Sequence, residues 1–231
     1  MHSQFRTCLN LFVLFITFSA LNSQASPQEK SLGYSGVFDG LTVGVFGRNK
    51  TISGYFFDQT GWDEKTRSAT FTCAFYLKGT FQDDKYSITT WYPGESESIK
   101  GQLKFVTDGG QTKVEIKLER EHGGCGNVRP FAAEDGGGTL TETSHGRWFA
   151  VRVVSAKKAY FYSRPSLNAR KKQYVVSHDP IRIFQVKNSW VEAEFEAEKT
   201  TRGWIKMSDL FPLEAKKPNK YLRPDRNRHQ T

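Results

Sequence analysis

The chain has 231 residues, of which 14% are aromatic and 20 are glycine, and its formal net charge is +9. This length excludes more than about two domains, and the aromatic and glycine content favours a β-rich fold with many turns. The charge is uneven, because residues 215–231 hold six Lys and Arg against one Asp, and residues 31–214 carry only about +3. The net charge is therefore weak evidence for nucleic-acid binding, which we do not expect.

Residues 1–25 have the layout of a secretory signal peptide. Arg6 precedes an uncharged, mostly apolar run at residues 11–21, and Ser23 and Ala25 are the small residues before a cleavage site. The run is too short for a transmembrane helix. The sequence therefore predicts an exported protein that is periplasmic or secreted.

Residues 31–145 are predicted to form a disulfide-braced antiparallel β domain. Apolar and polar residues alternate in successive short runs with turn residues between them, and the clearest run alternates Val114, Ile116 and Leu118 with charged residues. No stretch has a helical period. Seven or eight such strands must close or pair to protect their edges, so the pattern predicts a small antiparallel barrel or a sandwich, and we favour the barrel.

Two cysteines, Cys73 and Cys125, remain after the signal peptide and its Cys8 are removed. An even number of cysteines in an oxidising compartment predicts one disulfide between them, with two free thiols as the alternative. The bond would hold a glycine-rich turn at residues 122–127 against a strand.

A second, shorter β unit is predicted over residues 147–212, after a glycine-rich and polar boundary at residues 136–146. Within it, Val191 and Ala193 alternate with charged residues and are expected to face the core. Trp190 then lies on the charged side of its strand, where partial exposure is expected.

This second unit resembles a bacterial SH3-like (SH3b) domain. The resemblance rests on the runs Ala-Tyr-Phe-Tyr-Ser-Arg-Pro-Ser at residues 159–166, Tyr-Val-Val-Ser-His-Asp at 174–179, Asn-Ser-Trp-Val at 188–191 and a closing Gly-Trp-Ile-Lys-Met-Ser-Asp-Leu at 203–210. The opening run departs from the family pattern, and His178-Asp179 stands where the family commonly has Gly-Asp. The resemblance implies a small SH3-like β-barrel, so the predicted fold class is all-β.

The resemblance also implies a module that binds peptidoglycan, its peptides or a wall-associated protein. Fold alone does not establish function, so the site is argued from residues. Tyr160, Tyr162 and Trp190 are expected to stack on the ligand, because aromatic rings give contact area at a low entropy cost. Arg164 is expected to pair with a carboxylate.

Catalysis is not expected. The histidines lack metal-ligand spacing, and no nucleophile elbow, phosphate loop or cofactor motif occurs, so neither a metal nor a cofactor is predicted. Cell-wall cysteine endopeptidases are an alternative, because Cys73, His122 and His145 follow one another in a suitable order. However, Cys73 alternates with Phe71 and Phe75 in a strand, whereas a reactive cysteine of that class lies at a helix N-terminus.

Two further alternatives remain open. The protein could be a periplasmic inhibitor or immunity protein that neutralises a toxin or a cell-wall hydrolase, with contacts in residues 122–127. It could also be a lipocalin-like carrier if the first barrel is hollow. The basic tail, residues 215–231, is predicted to be disordered and to reach anionic envelope polymers or lipid headgroups, which would be at most a peripheral membrane contact.

Overall fold

The structure is a computed structural model that describes residues 33–92 and 95–212. The predicted signal peptide and basic tail lie outside the described residues. The regular structure there is β-strand with short 3₁₀ turns, which confirms the all-β prediction. Within the described residues, no helix has the length and apolar character needed to cross a membrane.

Eight consecutive strands form a closed antiparallel barrel, in which each strand pairs with the next and the first pairs with the eighth. Closure removes the free edges that an eight-stranded sheet would otherwise expose. The strands are β1 (Gly36–Phe38), β2 (Leu41–Phe46), β3 (Thr51–Asp63), β4 (Ser68–Gln82), β5 (Lys85–Trp91), β6 (Ile99–Asp108), β7 (Gln111–Leu118) and β8 (Gly138–His145).

The barrel interior is filled with side chains. Phe56, Phe75 and Phe131 are fully buried and meet at ring-centroid distances of 4.9 to 5.3 Å. Val114 and Ile116 face the same interior, as their alternation along the chain predicts. Because side chains occupy this interior, its packing does not favour the carrier alternative.

The predicted disulfide between Cys73 and Cys125 is present. Cys73 faces inward from β4, and Cys125 begins a 3₁₀ turn, Cys125–Asn127, with a Cα–Cα distance of 4.4 Å between the two residues. Both are fully buried. The bond therefore fixes the glycine-rich turn to the barrel wall.

The polar segment that the sequence analysis interpreted as a boundary belongs partly to the barrel. Its residues Gly138–His145 form β8, which pairs with β7 and β1. A strand that closes a barrel has one face toward solvent, so it has the polar composition that in sequence resembles a linker.

A second antiparallel sheet of six strands follows, in the spatial order β11-β10-β14-β13-β12-β9. After β14, a 3₁₀ turn at Met207–Asp209 leads to an isolated bridge between Leu210 and Val154. The strands are β9 (Ala150–Val153), β10 (Lys158–Tyr162), β11 (Arg170–Val176), β12 (Pro180–Lys187), β13 (Trp190–Phe195) and β14 (Thr201–Lys206).

The second sheet packs on the outer wall of the barrel, and the described residues fall within one compact unit. A separate buried cluster joins them, in which the Tyr76 hydroxyl donates to the Val151 carbonyl at 2.8 Å and the Trp148 indole N–H donates to the Val43 carbonyl at 2.7 Å. The Val151 amide donates to Ser53 Oγ at 3.0 Å. These bonds satisfy polar groups that the contact removes from water.

Candidate functional site

The site residues predicted from the sequence lie on or beside the outer face of the second sheet. In β13, Val191 and Ala193 are buried in the sheet's own core, as predicted, and Trp190 is half-buried on the opposite face. In β10, the fully buried residues are Ala159 and Phe161. The tyrosines on either side of Phe161 therefore lie toward the outer face.

Tyr162 and Trp190 are in direct ring contact. Their centroids are 4.7 Å apart and the rings are nearly perpendicular, an arrangement that aromatic quadrupoles favour. Lys206 Nζ lies 5.9 Å from the centre of the Tyr162 ring. Because Tyr162 is only 6% exposed, its main role is to support Trp190 rather than to offer a free ring.

Tyr160 belongs to a second aromatic pair. Its partner is Tyr174, directly opposite on β11, at a centroid distance of 5.7 Å. The guanidinium of Arg170 lies 4.8 Å from the centre of the Tyr160 ring, and Lys158 Nζ lies 4.6 Å from that of Tyr174. Each ring of this pair therefore has a cation over it.

Arg164 is not part of either pair. It lies exposed in the turn after β10, where its carbonyl accepts the Ser166 N–H at 2.7 Å. Within the described part of the chain, its side chain makes no ion pair and no ring contact. The structure thus brings together two of the four predicted ligand residues, Tyr162 and Trp190, places Tyr160 in a separate pair, and leaves Arg164 in the turn.

Sequence reasoning missed four residues of this surface, Lys158, Arg170, Tyr174 and Lys206. This surface could have been predicted from the run Arg-Lys-Lys-Gln-Tyr at residues 170–174. Basic residues followed by a tyrosine are typical of an exposed edge strand. We define the aromatic–cation face as these four residues with Tyr160, Tyr162 and Trp190.

The charge of the second sheet differs from that of the barrel. Residues 147–212 contain thirteen Lys and Arg against six Asp and Glu, whereas residues 33–146 contain twelve against fifteen. The positive excess of the sheet attracts anions and raises their association rate. The aromatic–cation face is therefore suited to a ligand that combines apolar ring faces with negative charge.

The residues of the endopeptidase alternative have other partners in the structure. The sulfur of Cys73 is bonded to that of Cys125. The His122 ring stacks on Phe75 at 5.1 Å, with Nε2 2.7 Å from Thr90 Oγ1. No free thiol is thus available at Cys73 to act as a nucleophile. Among the described residues, no group of three or more His, Cys, Asp and Glu side chains could hold a metal ion.

The tip of the β3–β4 hairpin carries exposed aromatic residues. Trp62 is 58% exposed and Phe71 is 41% exposed. By strand alternation both lie on the face of the hairpin that continues the barrel interior, and the disulfide-bonded turn adjoins that face through a hydrogen bond from Thr60 Oγ1 to the Asn127 carbonyl. Exposed aromatic residues in such a group are typical of protein contact surfaces.

No protein-family model, curated protein or solved structure matches this chain. Its class is therefore defined by the fold and the surface alone. It is an all-β protein in which a closed eight-stranded barrel carries a six-stranded antiparallel sheet with an aromatic–cation face.

Proposed function

We propose that this protein is an exported, non-catalytic binding protein of the bacterial cell envelope, and that its second sheet binds peptidoglycan. The observation that carries the proposal is the aromatic–cation face, in which the Tyr160–Tyr174 and Tyr162–Trp190 pairs alternate with basic side chains. Aromatic rings stack on the apolar faces of sugars, and ammonium and guanidinium groups pair with carboxylates. A wall polymer offers both kinds of group along its length.

The resemblance to bacterial SH3-like domains supports the same ligand class. His178 has a φ of +75°, a conformation that glycine adopts without strain, at the position where the family commonly has glycine. The 3₁₀ turn at Met207–Asp209 and the bridge between Leu210 and Val154 follow the Gly-Trp strand on which the resemblance rests. We therefore infer that residues 147–212 form an SH3-like module.

The disulfide supports export. Buried disulfides persist in oxidising compartments and are rare in reducing ones. The Cys73–Cys125 bond is compatible with the periplasm or the exterior, in agreement with the predicted signal peptide.

Co-sedimentation with purified, protein-free peptidoglycan sacculi tests this function. We expect the protein to be retained at both low and physiological salt, because stacking persists when charge is screened. The double variant Tyr160→Ala with Tyr174→Ala should lose about 5- to 150-fold in affinity, as two stacking rings contribute roughly 1 to 3 kcal/mol. Both side chains are at the surface, so the fold should survive their truncation.

Trp62→Ala is the matched control, because it removes an exposed ring from the barrel instead of the sheet. It should bind sacculi like the unaltered protein. Retention at low salt alone would show that the protein binds sacculi through charge without stacking, which contradicts the proposed site. No retention at either salt would contradict the proposed function altogether. In that case the inhibitor or immunity function becomes the better one, since Trp62 and Phe71 at the hairpin tip suit a protein partner.

A further inference from the structure

A groove of about 850 Å³ lies where the second sheet meets the barrel. We call it the junction groove and define it by Tyr55, Phe57 and Tyr92 of the barrel with His178, Asp179 and Glu196 of the second sheet. Grooves of this size between two packed units are common positions for ligands. It lies outside the aromatic–cation face.

Two aromatic rings in this groove are exposed to an extent that packing does not explain. Phe57 is 45% exposed and Tyr92 is 40% exposed, although both border the buried cluster that joins the sheets. Tyr55, in contrast, is almost fully buried beside them. The groove thus has an aromatic wall that the described side chains leave partly exposed, and such a surface commonly marks a binding site.

The backbone on the opposite wall is strained. His178 adopts a left-handed φ of +75° without being glycine, which costs of the order of 1 kcal/mol or more. Its ring is held between Tyr92, at 5.7 Å, and Phe211, at 5.5 Å. Strained residues that surrounding contacts hold in place are typical of functional sites.

The charge of the groove is negative. Its lining contains the carboxylates of Asp179 and Glu196 and, among the described residues, no Lys or Arg. Asp179 Oδ2 accepts the Val176 N–H at 2.7 Å, which orients this carboxylate without neutralising it. Glu196 forms an ion pair with Arg182, so Asp179 is the principal negative charge.

The surroundings of Tyr92 and Tyr55 reinforce this charge. An adjoining cavity shares Tyr92 and is lined by Glu95, Glu97 and Glu121, against one cation, Arg120. Burial, followed by the charges of Tyr92 and Asp179, raises the pKa of Tyr55 to about 12. The Asp179 carboxylate therefore lies close enough to Tyr55 to act on it electrostatically, and both residues line the groove.

From this arrangement we infer that the junction groove binds an organic ammonium group, held against Tyr92 and Phe57 and paired with Asp179. Aromatic faces attract cations, and a nearby carboxylate adds a charge-assisted hydrogen bond. An anionic ligand would meet Asp179 at close range, and a purely apolar one would bury that charge without a partner, which is costly. This site does not depend on the proposed function, because the aromatic–cation face has the opposite charge preference.

An NMR titration of the ¹⁵N-labelled protein tests the inference with two pairs of probes. Nα-acetyl-lysine amide is compared with its Nε-acetylated form, and glucosamine with N-acetylglucosamine, so that each pair differs in one positive charge. We expect the charged probe of at least one pair to shift the amide signals of Tyr92 and His178, and the uncharged partner to have little effect. Binding of the lysine probe alone indicates a peptide source, binding of glucosamine alone an amino sugar, and binding of both an ammonium site of broad specificity.

Three variants complete the test. Asp179→Asn removes the charge but keeps an oxygen that accepts the Val176 N–H, and Tyr92→Ala truncates an exposed ring. Each should weaken binding of the charged probe about tenfold, whereas Tyr174→Ala, on the aromatic–cation face, should leave it unchanged. The inference is overturned if neither charged probe shifts the groove signals, if the uncharged partners shift these signals equally, or if Asp179→Asn and Tyr92→Ala both bind like the unaltered protein.

Discussion

His122 lies in the segment between β7 and the disulfide-bonded turn, with its imidazole stacked on Phe75 and within hydrogen-bonding distance of Thr90. Burial, and then the positive charge of Arg120, lowers the pKa of His122 to about 4. The ring is therefore neutral at pH 7. Its carbonyl also accepts the Cys125 N–H at 3.1 Å, so the histidine adjoins the disulfide-bonded turn.

This lowered pKa predicts a loss of stability in acid. In the unfolded chain histidine has a pKa of about 6.5, so protonation favours the unfolded state. The stabilisation that the neutral His122 ring gives the folded protein is complete above about pH 6.5 and is lost progressively as the pH falls towards 4. Between pH 7 and pH 5 the unaltered protein should lose about 1 kcal/mol more unfolding free energy than His122→Gln. This value is smaller than the pKa difference alone would give, because water reaches part of the ring and weakens the effect.

Urea unfolding at the two pH values measures this difference. Equal pH dependence in the unaltered protein and His122→Gln would contradict the environment that the structure gives this ring.

At the scale of elements, the disulfide joins β4 to the 3₁₀ turn Cys125–Asn127 across 52 residues of chain. Closing a loop of that length in the unfolded state is worth roughly 4 kcal/mol in the chain-entropy model, although measured values are often smaller. The double variant Cys73→Ala with Cys125→Ala should therefore lose about 2 to 4 kcal/mol of unfolding free energy. Chemical denaturation measures it.

Reduction of the unaltered protein provides the control for this prediction. It breaks the same bond without removing the two sulfur atoms from the core, so it should give a similar but slightly smaller loss. A loss below about 0.5 kcal/mol in both experiments would show that the bond constrains the unfolded chain very little.

The individual strands were predictable to different degrees. β7 was evident from the sequence, because Val114, Ile116 and Leu118 alternate with charged residues. This pattern arises where one face of a strand packs in the barrel core and the other faces water. The outer half of the β3–β4 hairpin was not, because beyond the barrel rim no core enforces alternation and Trp62 stays exposed. β8 was mistaken in part for a boundary because its solvent-facing residues give it a polar composition.

The site was predictable in half. Alternation along β13 placed Trp190 on the charged side of its strand, and Tyr160 was expected to stack on a ligand. Their neighbours Tyr174 and Arg170 were missed, because the β10–β11 register shifts between Tyr160 and Tyr162. Cross-strand pairing of this kind depends on turn geometry and bulges rather than on the period of either strand.

At the scale of the whole molecule, the second sheet lies directly on the barrel at Gly44. A Cβ atom at this position would come within 2.4 Å of the backbone N and Cα of Ala150. Backbone atoms cannot rotate away as a flexible side chain can. The glycine therefore permits a close approach that holds β9 and its neighbours against the barrel wall.

Gly44→Ala should consequently destabilise the protein by about 1 to 3 kcal/mol, the usual cost of overpacking. Thermal unfolding followed by far-ultraviolet and near-ultraviolet circular dichroism measures the effect and shows whether the two sheets still unfold together. Gly47→Ala is the control, because a Cβ there meets nothing within 4 Å, and it should leave the melting temperature nearly unchanged. A Gly44→Ala variant as stable as the Gly47→Ala variant would contradict the close contact.

The sequence by itself determined the all-β class, the disulfide and the side of its strand on which Trp190 lies. These properties depend on local alternation and on the number of cysteines, which one chain segment can report. Only the tertiary structure decided three other features: the packing of the two sheets, the Tyr160–Tyr174 pair and the junction groove. They join residues far apart along the chain, such as Tyr92 and His178, whose proximity follows from packing and register.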